Sequence, residues 1–205
     1  MLREGLNELH YITPIGNIGS IISEGILCHQ KAQKVGHVSV AMQGVQDRRS
    51  EKTVPGGLPL HNYVNLYINA RNPMLYRVLD PNSFFNTNRV QVCILRIDAN
   101  VLDLPNVVVS DMNAAVNLAG FYAVDKGLLK IDKELVFAQS WDDPDYYVKQ
   151  EHKQKMCAEV LVPNKIEPGN IRGAYVSCLE DKEVIESTGV GFPITVKPYM
   201  FFKER

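Results

Sequence analysis

The sequence predicts an α+β domain built on a mainly antiparallel sheet with short flanking helices. Three observations lead there. Apolar residues collect in many short runs of strand length, while few helical patterns are long. A chain of 205 residues with 45% hydrophobic and 22% charged residues has the composition of an ordinary globular protein and is long enough for one substantial core. No repeat, linker or low-complexity stretch divides it.

In chain order, residues 9–13 form a strand and Pro14 opens a helix, where its missing N–H costs nothing. Ile15, Ile18 and Ile22 fall at helical spacing with Ile21 beside them, and Gly25 is placed as the C-cap. Ile26 and Leu27 begin a new apolar segment that turns polar through residues 30–34. Residues 35–57 are poor in apolar runs and rich in Gln, Lys, Arg and Gly. Composition favours a solvated helix ending at the Pro55-Gly56-Gly57 turn. The Arg48-Arg49 pair beside that turn also suits a clamp on phosphate or carboxylate.

Residues 61–69 alternate as a strand, with Tyr63, Asn65, Tyr67 and Asn69 on one face and Val64, Leu66 and Ile68 on the other. The first face is a polar and aromatic row, suited to a half-exposed sheet surface or to stacking on a planar ring. Asn72 and Pro73 mark the N-cap and first position of a helix. Residues 90–97 form a strong central strand and 106–110 a second. Residues 111–130 show no pattern that decides between helix and loop. Residues 131–140 are expected to be helical, followed by an acidic aromatic loop over 141–147. Beyond the strand ending at Pro163, Pro168-Gly169-Asn170 marks a turn, 171–178 a strand, and 179–187 a short helix with its acidic residues outward. Gly189, Gly191 and Pro193 interrupt the chain before a last short strand at 194–196.

Several function classes are excluded. A net charge of -1 offers no general nucleic-acid footprint, so any such contact must be local. Cys28, Cys93, Cys157 and Cys178 are widely spaced, with no C-x-x-C pair and no His at ligand spacing, so neither a zinc site nor a redox pair is expected. The first residues lack an apolar targeting core and no run approaches a membrane span, which predicts a soluble, cytoplasmic protein with no membrane partner. The P-loop, the dinucleotide-binding fingerprint, the nucleophile elbow and the H-E-x-x-H zinc motif are all absent.

One carboxylate stands out. In the stretch from Lys153 to Pro163 a polar run turns into an apolar strand, where Glu159 shares a face with Cys157 and Leu161 while Ala158, Val160 and Val162 point the other way. Burying a carboxylate unpaired is costly. Glu159 is therefore either a strand-end residue reaching solvent or a group lifted into a cleft with a partner.

Taken in order, Tyr11-Ile12-Thr13-Pro14-Ile15-Gly16-Asn17-Ile18, Gly25-Ile26-Leu27, Gln46-Asp47-Arg48-Arg49, Pro55-Gly56-Gly57-Leu58-Pro59-Leu60-His61-Asn62-Tyr63-Val64, Arg71-Asn72-Pro73-Met74-Leu75-Tyr76 and Ala158-Glu159-Val160-Leu161-Val162 resemble the DarT family. These are DNA ADP-ribosyltransferase toxins of bacterial toxin–antitoxin pairs. The matches run from residue 9 to 162, each short alone and specific as an ordered set. The resemblance implies an ADP-ribosyltransferase-like fold with a split, mainly antiparallel central sheet, forming a single domain over residues 1–205. It implies transfer of ADP-ribose from NAD, without a metal, to thymine or guanine of single-stranded DNA. Glu159 would be catalytic, and Arg49 would contact NAD and assist. Tyr11, Ile12, Thr13, Asn17, Ser20, Leu27 and Tyr67 would join Arg49 in the NAD site, under a covering segment at 33–51. Arg71, Met74, Tyr76, Tyr146, Tyr147 and Lys153 would contact DNA, with residues 112–159 presenting the base. A macrodomain antitoxin partner and a monomeric state are implied in the same way. One departure is that many members carry His where this chain has Tyr11, while His10 stands one place earlier, so no histidine role is carried over.

The residue types suit that chemistry. Breaking the nicotinamide glycosidic bond builds oxocarbenium character, which a carboxylate stabilises. The acceptor base must also lose a ring N–H proton, to Glu159 or through Arg49 in a relay. Since arginine holds its proton at neutral pH, Arg49 is assigned to positioning and charge stabilisation. Single-stranded DNA is favoured because unstacking a duplex base costs roughly a few kcal/mol. Tyr63, Tyr76, Trp141, Tyr146 and Tyr147 suit base stacking, and Arg71, Lys149, Lys153 and Lys155 suit phosphate contact. Two other readings stay open: an ADP-ribosyltransferase acting on RNA or protein, and a non-enzymatic nucleotide-binding module in which Glu159 is structural.

Overall fold

Side-chain parity along the strands decides which face of the sheet becomes core. A computed structural model describes residues 3–80, 82 and 91–203. Its strands are β1 (Glu8–Pro14), β2 (Ile26–Leu27), β3 (Tyr63–Tyr67), β4 (Val92–Asp98), β5 (Val108–Ser110), β6 (Phe121–Ala123), β7 (Glu159–Pro163), β8 (Lys165–Ile166), β9 (Ile171–Val176) and β10 (Ile194–Val196). The helices are α1 (Ile18–Glu24), α2 (His29–Ala32), α3 (Gln43–Ser50), α4 (Pro73–Leu79), α5 (Val124–Lys130), α6 (Lys133–Val136), α7 (Tyr146–Met156) and α8 (Leu179–Glu186). Eight strands form one sheet in the order β10-β9-β4-β1-β3-β7-β5-β6, and β2 pairs with β8 apart from it. Within the large sheet β9 and β10 are parallel and every other neighbouring pair is antiparallel, as the sequence predicts.

Val64, Leu66 and Ile68 of the β3 segment and Ala158, Val160 and Val162 of the β7 segment enter the main core with Leu9, Leu95 and Val109. The residues of opposite parity line the other face in smaller clusters, with Tyr67 and Cys157 in one and Tyr63 and Leu161 in another. The sheet is open at one place. β1 pairs with β4 from Glu8↔Asp98 to Pro14↔Val92, but meets β3 only at His10↔Tyr67. Past that point residues 11–14 and 63–66 carry no ladder between them, and a cleft enters the sheet.

Several element bounds differ from the sequence reading. Pro14 ends β1 rather than starting a helix; a 3-10 turn over Ile15–Asn17 intervenes before α1. Gly25 does cap α1, donating its N–H to Ile21 O at φ 84°, and a Cβ there would lie 2.3 Å from Ile166 O, so only glycine fits without a shift. The solvated helix expected over 35–57 shrinks to α3, with Arg49 buried. Residues 111–130 resolve into a turn-rich loop, β6 and α5. The helix expected at 131–140 is the single turn α6, and the expected loop at 141–147 runs into α7, which starts at the Asp145 N-cap. Asp181 of α8 is buried rather than outward, accepting from Gln91 Nε2 at 2.9 Å and Ser177 Oγ at 2.8 Å. Val90, the expected start of the central strand, lies outside the described residues.

At the start of β1, Glu8 ties three strands together. Arg96 Nη2 of β4 lies 2.7 Å from its carboxylate, Tyr175 of β9 donates to it at 2.8 Å, and His10 Nε2 lies 3.3 Å away. Burial works to raise the Glu8 pKa, but the hydrogen bonds from His10, Tyr175 and Arg96 outweigh it and hold the carboxyl at about 2, below its ordinary 4.5. A depressed carboxyl contributes stability above pH 4.5 and loses it as the pH falls toward 2. Glu8→Gln should therefore flatten the fall of the urea midpoint across that window. An acid limb identical to wild type would contradict the assignment.

Candidate active site

Three strands present one row of side chains at the cleft. Antiparallel register sets Glu159 of β7 opposite Tyr67 of β3 on one side and Ser110 of β5 on the other. Cross-strand partners share a face. Glu159 is 1% exposed, so it does not reach solvent as a strand-end residue. Its partner is Arg49, itself 5% exposed, whose Nη1 donates to Oε2 at 3.0 Å and to Oε1 at 3.3 Å. The backbone N–H of Ala114 adds a third contact, to Oε1 at 3.3 Å. Arg49 sits in the last turn of α3, where a cation complements the helix dipole. Arg49 Nη2 and Ser110 Oγ are buried without a hydrogen-bond partner among the described residues.

The surrounding segments are fastened to this pair. Lys52, just past α3, donates to the carbonyls of Ala114 (3.4 Å) and Val116, and Asn113 N–H donates to Gln154 O of α7 at 2.9 Å. The 113–116 loop is thus held between the end of α3 and the end of α7. On the opposite wall the Asn17 amide grips the backbone of Val38 from both sides, donating to its carbonyl at 2.8 Å and accepting its N–H at 2.9 Å. That double contact draws the 33–42 segment over the cleft.

The cleft has a volume of about 700 Å³. Of the residues expected at an NAD site, Tyr11, Ile12, Thr13, Asn17, Leu27, Arg49 and Tyr67 line it, together with Glu159. Ser20 lines a smaller adjoining recess with Tyr11 and Thr13. Burial pushes the Tyr11 hydroxyl up to about 12, and burial followed by the negative charge of Glu159 holds Tyr67 well above its ordinary value, so both remain neutral at pH 7. Burial likewise pushes the Cys157 thiol up to about 12, which removes a thiolate nucleophile from beside Glu159. His10 is turned toward Ile68 O and Glu8, and Tyr11 lines the cleft in its place. Among the described residues no group of three His, Cys, Asp or Glu is placed to hold a metal ion.

The expected DNA-contact residues divide. Met74, Tyr76 and Lys153 line the cleft, as do Tyr63 and Trp141. Arg71 does not: it donates to Tyr199 O at 3.1 Å and Gln139 O at 2.9 Å, and lies over the Tyr199 and Phe202 rings, fastening the C-terminal turn. Tyr146 and Tyr147 stand exposed at the start of α7, packed edge to face on each other and outside the cleft wall. Lys149 and Lys155 are paired with Asp142 and Glu151. Sequence reasoning missed Asn65, Gln150, Gln154, His29 and His37 on the cleft wall. For Asn65 a signal existed, since it shares its strand face with Tyr63 and Tyr67; the others lie in segments without periodicity.

Breaking a buried ion pair by removing one partner leaves an uncompensated charge, whereas replacing both with apolar groups does not. Arg49→Met should lower the unfolding free energy in urea by about 3–5 kcal/mol, and Arg49→Met combined with Glu159→Leu by less than that. Double-variant losses equal to the sum of the two single losses would show that the side chains are not paired.

Residues 10–202 match the family model described as ssDNA thymidine ADP-ribosyltransferase, DarT. The chain is 29% identical over 202 residues to a DNA ADP-ribosyl transferase–DNA ADP-ribosyl glycohydrolase fusion protein of Thermosipho africanus, a match covering 95% of this chain and 49% of that protein. It therefore spans about half the length of that relative. It is 28% identical over 159 residues to a DNA ADP-ribosyl transferase of Thermus sp. strain 2.9, covering 75% of this chain and 73% of the relative. Among solved structures, Thermosipho africanus DarTG in complex with ADP-ribose superposes with a TM-score of 0.79 at 25% identity, over 96% of this chain and 51% of that one. Thermus sp. 2.9 DarT in complex with ADP-ribosylated ssDNA gives 0.82 at 24% identity, over 96% and 97%. The open antiparallel sheet is thus the DarT ADP-ribosyltransferase fold, and with the family model matched along nearly its whole length the chain belongs to the DarT family.

Proposed function

We propose that this protein cleaves NAD+ and transfers its ADP-ribose to a thymine of single-stranded DNA, working in the cytoplasm as the toxin of a toxin–antitoxin pair with a macrodomain antitoxin. The observation that carries the reading is the buried Arg49–Glu159 pair at the split between β1 and β3, where a carboxylate is held out of water beside an open cleft. The family model's description as an ssDNA thymidine ADP-ribosyltransferase supports the acceptor, and the Thermosipho africanus relative, which joins transferase and glycohydrolase in one chain, supports an antidote activity as partner.

The cleft fits the dinucleotide. Its volume of about 700 Å³ lies in the range of small-molecule sites. The unpartnered Arg49 Nη2 is a buried cationic donor suited to an oxygen of NAD+, and Tyr11 and Tyr67 supply neutral aromatic walls. Glu159, aligned by Arg49 and the Ala114 amide, stabilises positive charge at the ribose carbon as nicotinamide leaves. The same carboxylate accepts the ring N–H proton of the incoming base, and Arg49 stays protonated and compensates the charge change. Tyr76 and Trp141, edge to face at 5.3 Å on the far wall, offer rings to a nucleobase.

The test is to incubate the protein with NAD+ and short oligonucleotides that differ at a single base, following nicotinamide release and the mass of the DNA. Wild type should add one ADP-ribose to thymine-containing single strands. Glu159→Gln, which keeps the size and an acceptor for Arg49, should lose about three orders of magnitude in rate, comparable to removing a group that stabilises transition-state charge. Guanine labelling would correct the acceptor base. Labelling of RNA or protein in place of DNA, or undiminished activity of the variant, would overturn the reading.

A further inference from the structure

Ser110 is the least explained polar group near the pair. It ends β5, is wholly buried, faces Glu159 across the β5–β7 ladder, and its hydroxyl finds no hydrogen-bond partner among the described residues. Leaving a buried polar group unsatisfied is destabilising, so Ala would be the less costly residue if only size mattered. Side chains directly opposed in an antiparallel pair have Cβ atoms about 4.5–5.5 Å apart, and a serine hydroxyl turns about one bond to meet an acceptor.

The acceptor beside it has room. An ionised carboxylate takes about four hydrogen bonds. Among the described residues Glu159 receives Arg49 Nη1, shared between its two oxygens, and one long contact from the Ala114 amide. Arg49 in turn has Nη2 free of any partner among those residues. One arginine is thus placed to serve both the carboxylate and whatever enters the cleft. To the extent that it turns toward the substrate, Glu159 needs another donor. The other titratable or charged groups facing it are Tyr67 on β3 and Cys157 just ahead of β7, besides Arg49 on α3. β5 contributes Ser110.

We infer that Ser110 is a positioning residue for Glu159, whose hydroxyl donates to the carboxylate when Arg49 engages substrate and so keeps the carboxylate aimed at the reacting atoms. The inference rests on the transferase function proposed for this site. It distinguishes two donors with different duties: the arginine, shared with the substrate, and the serine, reserved for the glutamate.

The experiment compares wild type with Ser110→Ala, Ser110→Cys and Ser110→Thr, measuring kcat and KM for NAD+ with a thymine oligonucleotide. Without the hydroxyl that aims the carboxylate, Ser110→Ala and Ser110→Cys should lower kcat about tenfold with KM changed less than about twofold. Ser110→Thr, which keeps the hydroxyl, should retain the wild-type kcat. If Ser110→Ala fails to fold, Ser110→Cys, similar in size but a weak donor, carries the comparison. A wild-type kcat in the variants lacking the hydroxyl, or a Ser110→Thr protein as impaired as they are, would overturn the inference while leaving the transferase intact. A wild-type protein that labels no DNA would instead overturn the function itself, and the inference with it.

Discussion

A single buried ion pair organises this molecule. Glu159 lies on a strand whose other residues belong in a core, and taking a carboxylate out of water is tolerable only with a charged, hydrogen-bonded partner. Arg49 meets that need from a helix 110 residues earlier in the chain. To bring it there, α3 must pack beside the turn at Leu60–Asn62 that leads into β3, the segment before α3 must cross the cleft, and the 113–116 loop must close on the carboxylate. Lys52, Ala114 and Asn113 make the connections, so the ends of α3 and α7 and the loop between them are positioned by reference to the same charge.

The opening in the sheet is the second constraint. If β1 and β3 paired along their full length, Tyr11 and Thr13 would be covered by a ladder and no cleft could enter. Pairing only at His10↔Tyr67 leaves the later half of β1 free to line the cavity while β4 still satisfies its backbone along the other edge. Stability and access are thereby assigned to different edges of one strand. The same register has a consequence for the residue types: with His10 committed to Glu8 and Ile68, the ring that reaches the cleft is Tyr11, which burial keeps as a neutral phenol.

Much of this was legible in the sequence wherever period two was strong. The alternation set Val64 and Leu66 of β3 apart from Tyr67, and Val160 and Val162 of β7 apart from Glu159; the structure keeps both divisions and adds the pairing that joins the valine-bearing faces in the main core and sets Tyr67 opposite Glu159. Asn72 and Pro73 marked the start of α4, where the Asn72 side chain accepts the Leu75 N–H. What failed did so for physical reasons. α7 buries only Met156, so it has no apolar stripe, and its polar sequence resembles a loop. α3 has the composition of a solvated helix because the one residue it buries is an arginine, whose burial depends on a carboxylate no local pattern can reveal. Arg71 looked available for phosphate because its partners, the Tyr199 and Gln139 carbonyls, are backbone atoms of distant segments. Ser110 gave no signal at all, since a terminal serine on a short strand acquires meaning only from the register that sets it against Glu159.

Everything proposed for the site depends on where the dinucleotide lies relative to that glutamate. The most direct measurement is a crystal structure of the protein with the uncleavable analogue carba-NAD+. The nicotinamide-bearing ring should sit in the gap between β1 and β3, with Glu159 facing the carbon that would be attacked and Arg49 Nη2 on an oxygen of the ligand. A dinucleotide bound elsewhere, with the Arg49–Glu159 pair untouched and turned away from it, would contradict the proposed chemistry.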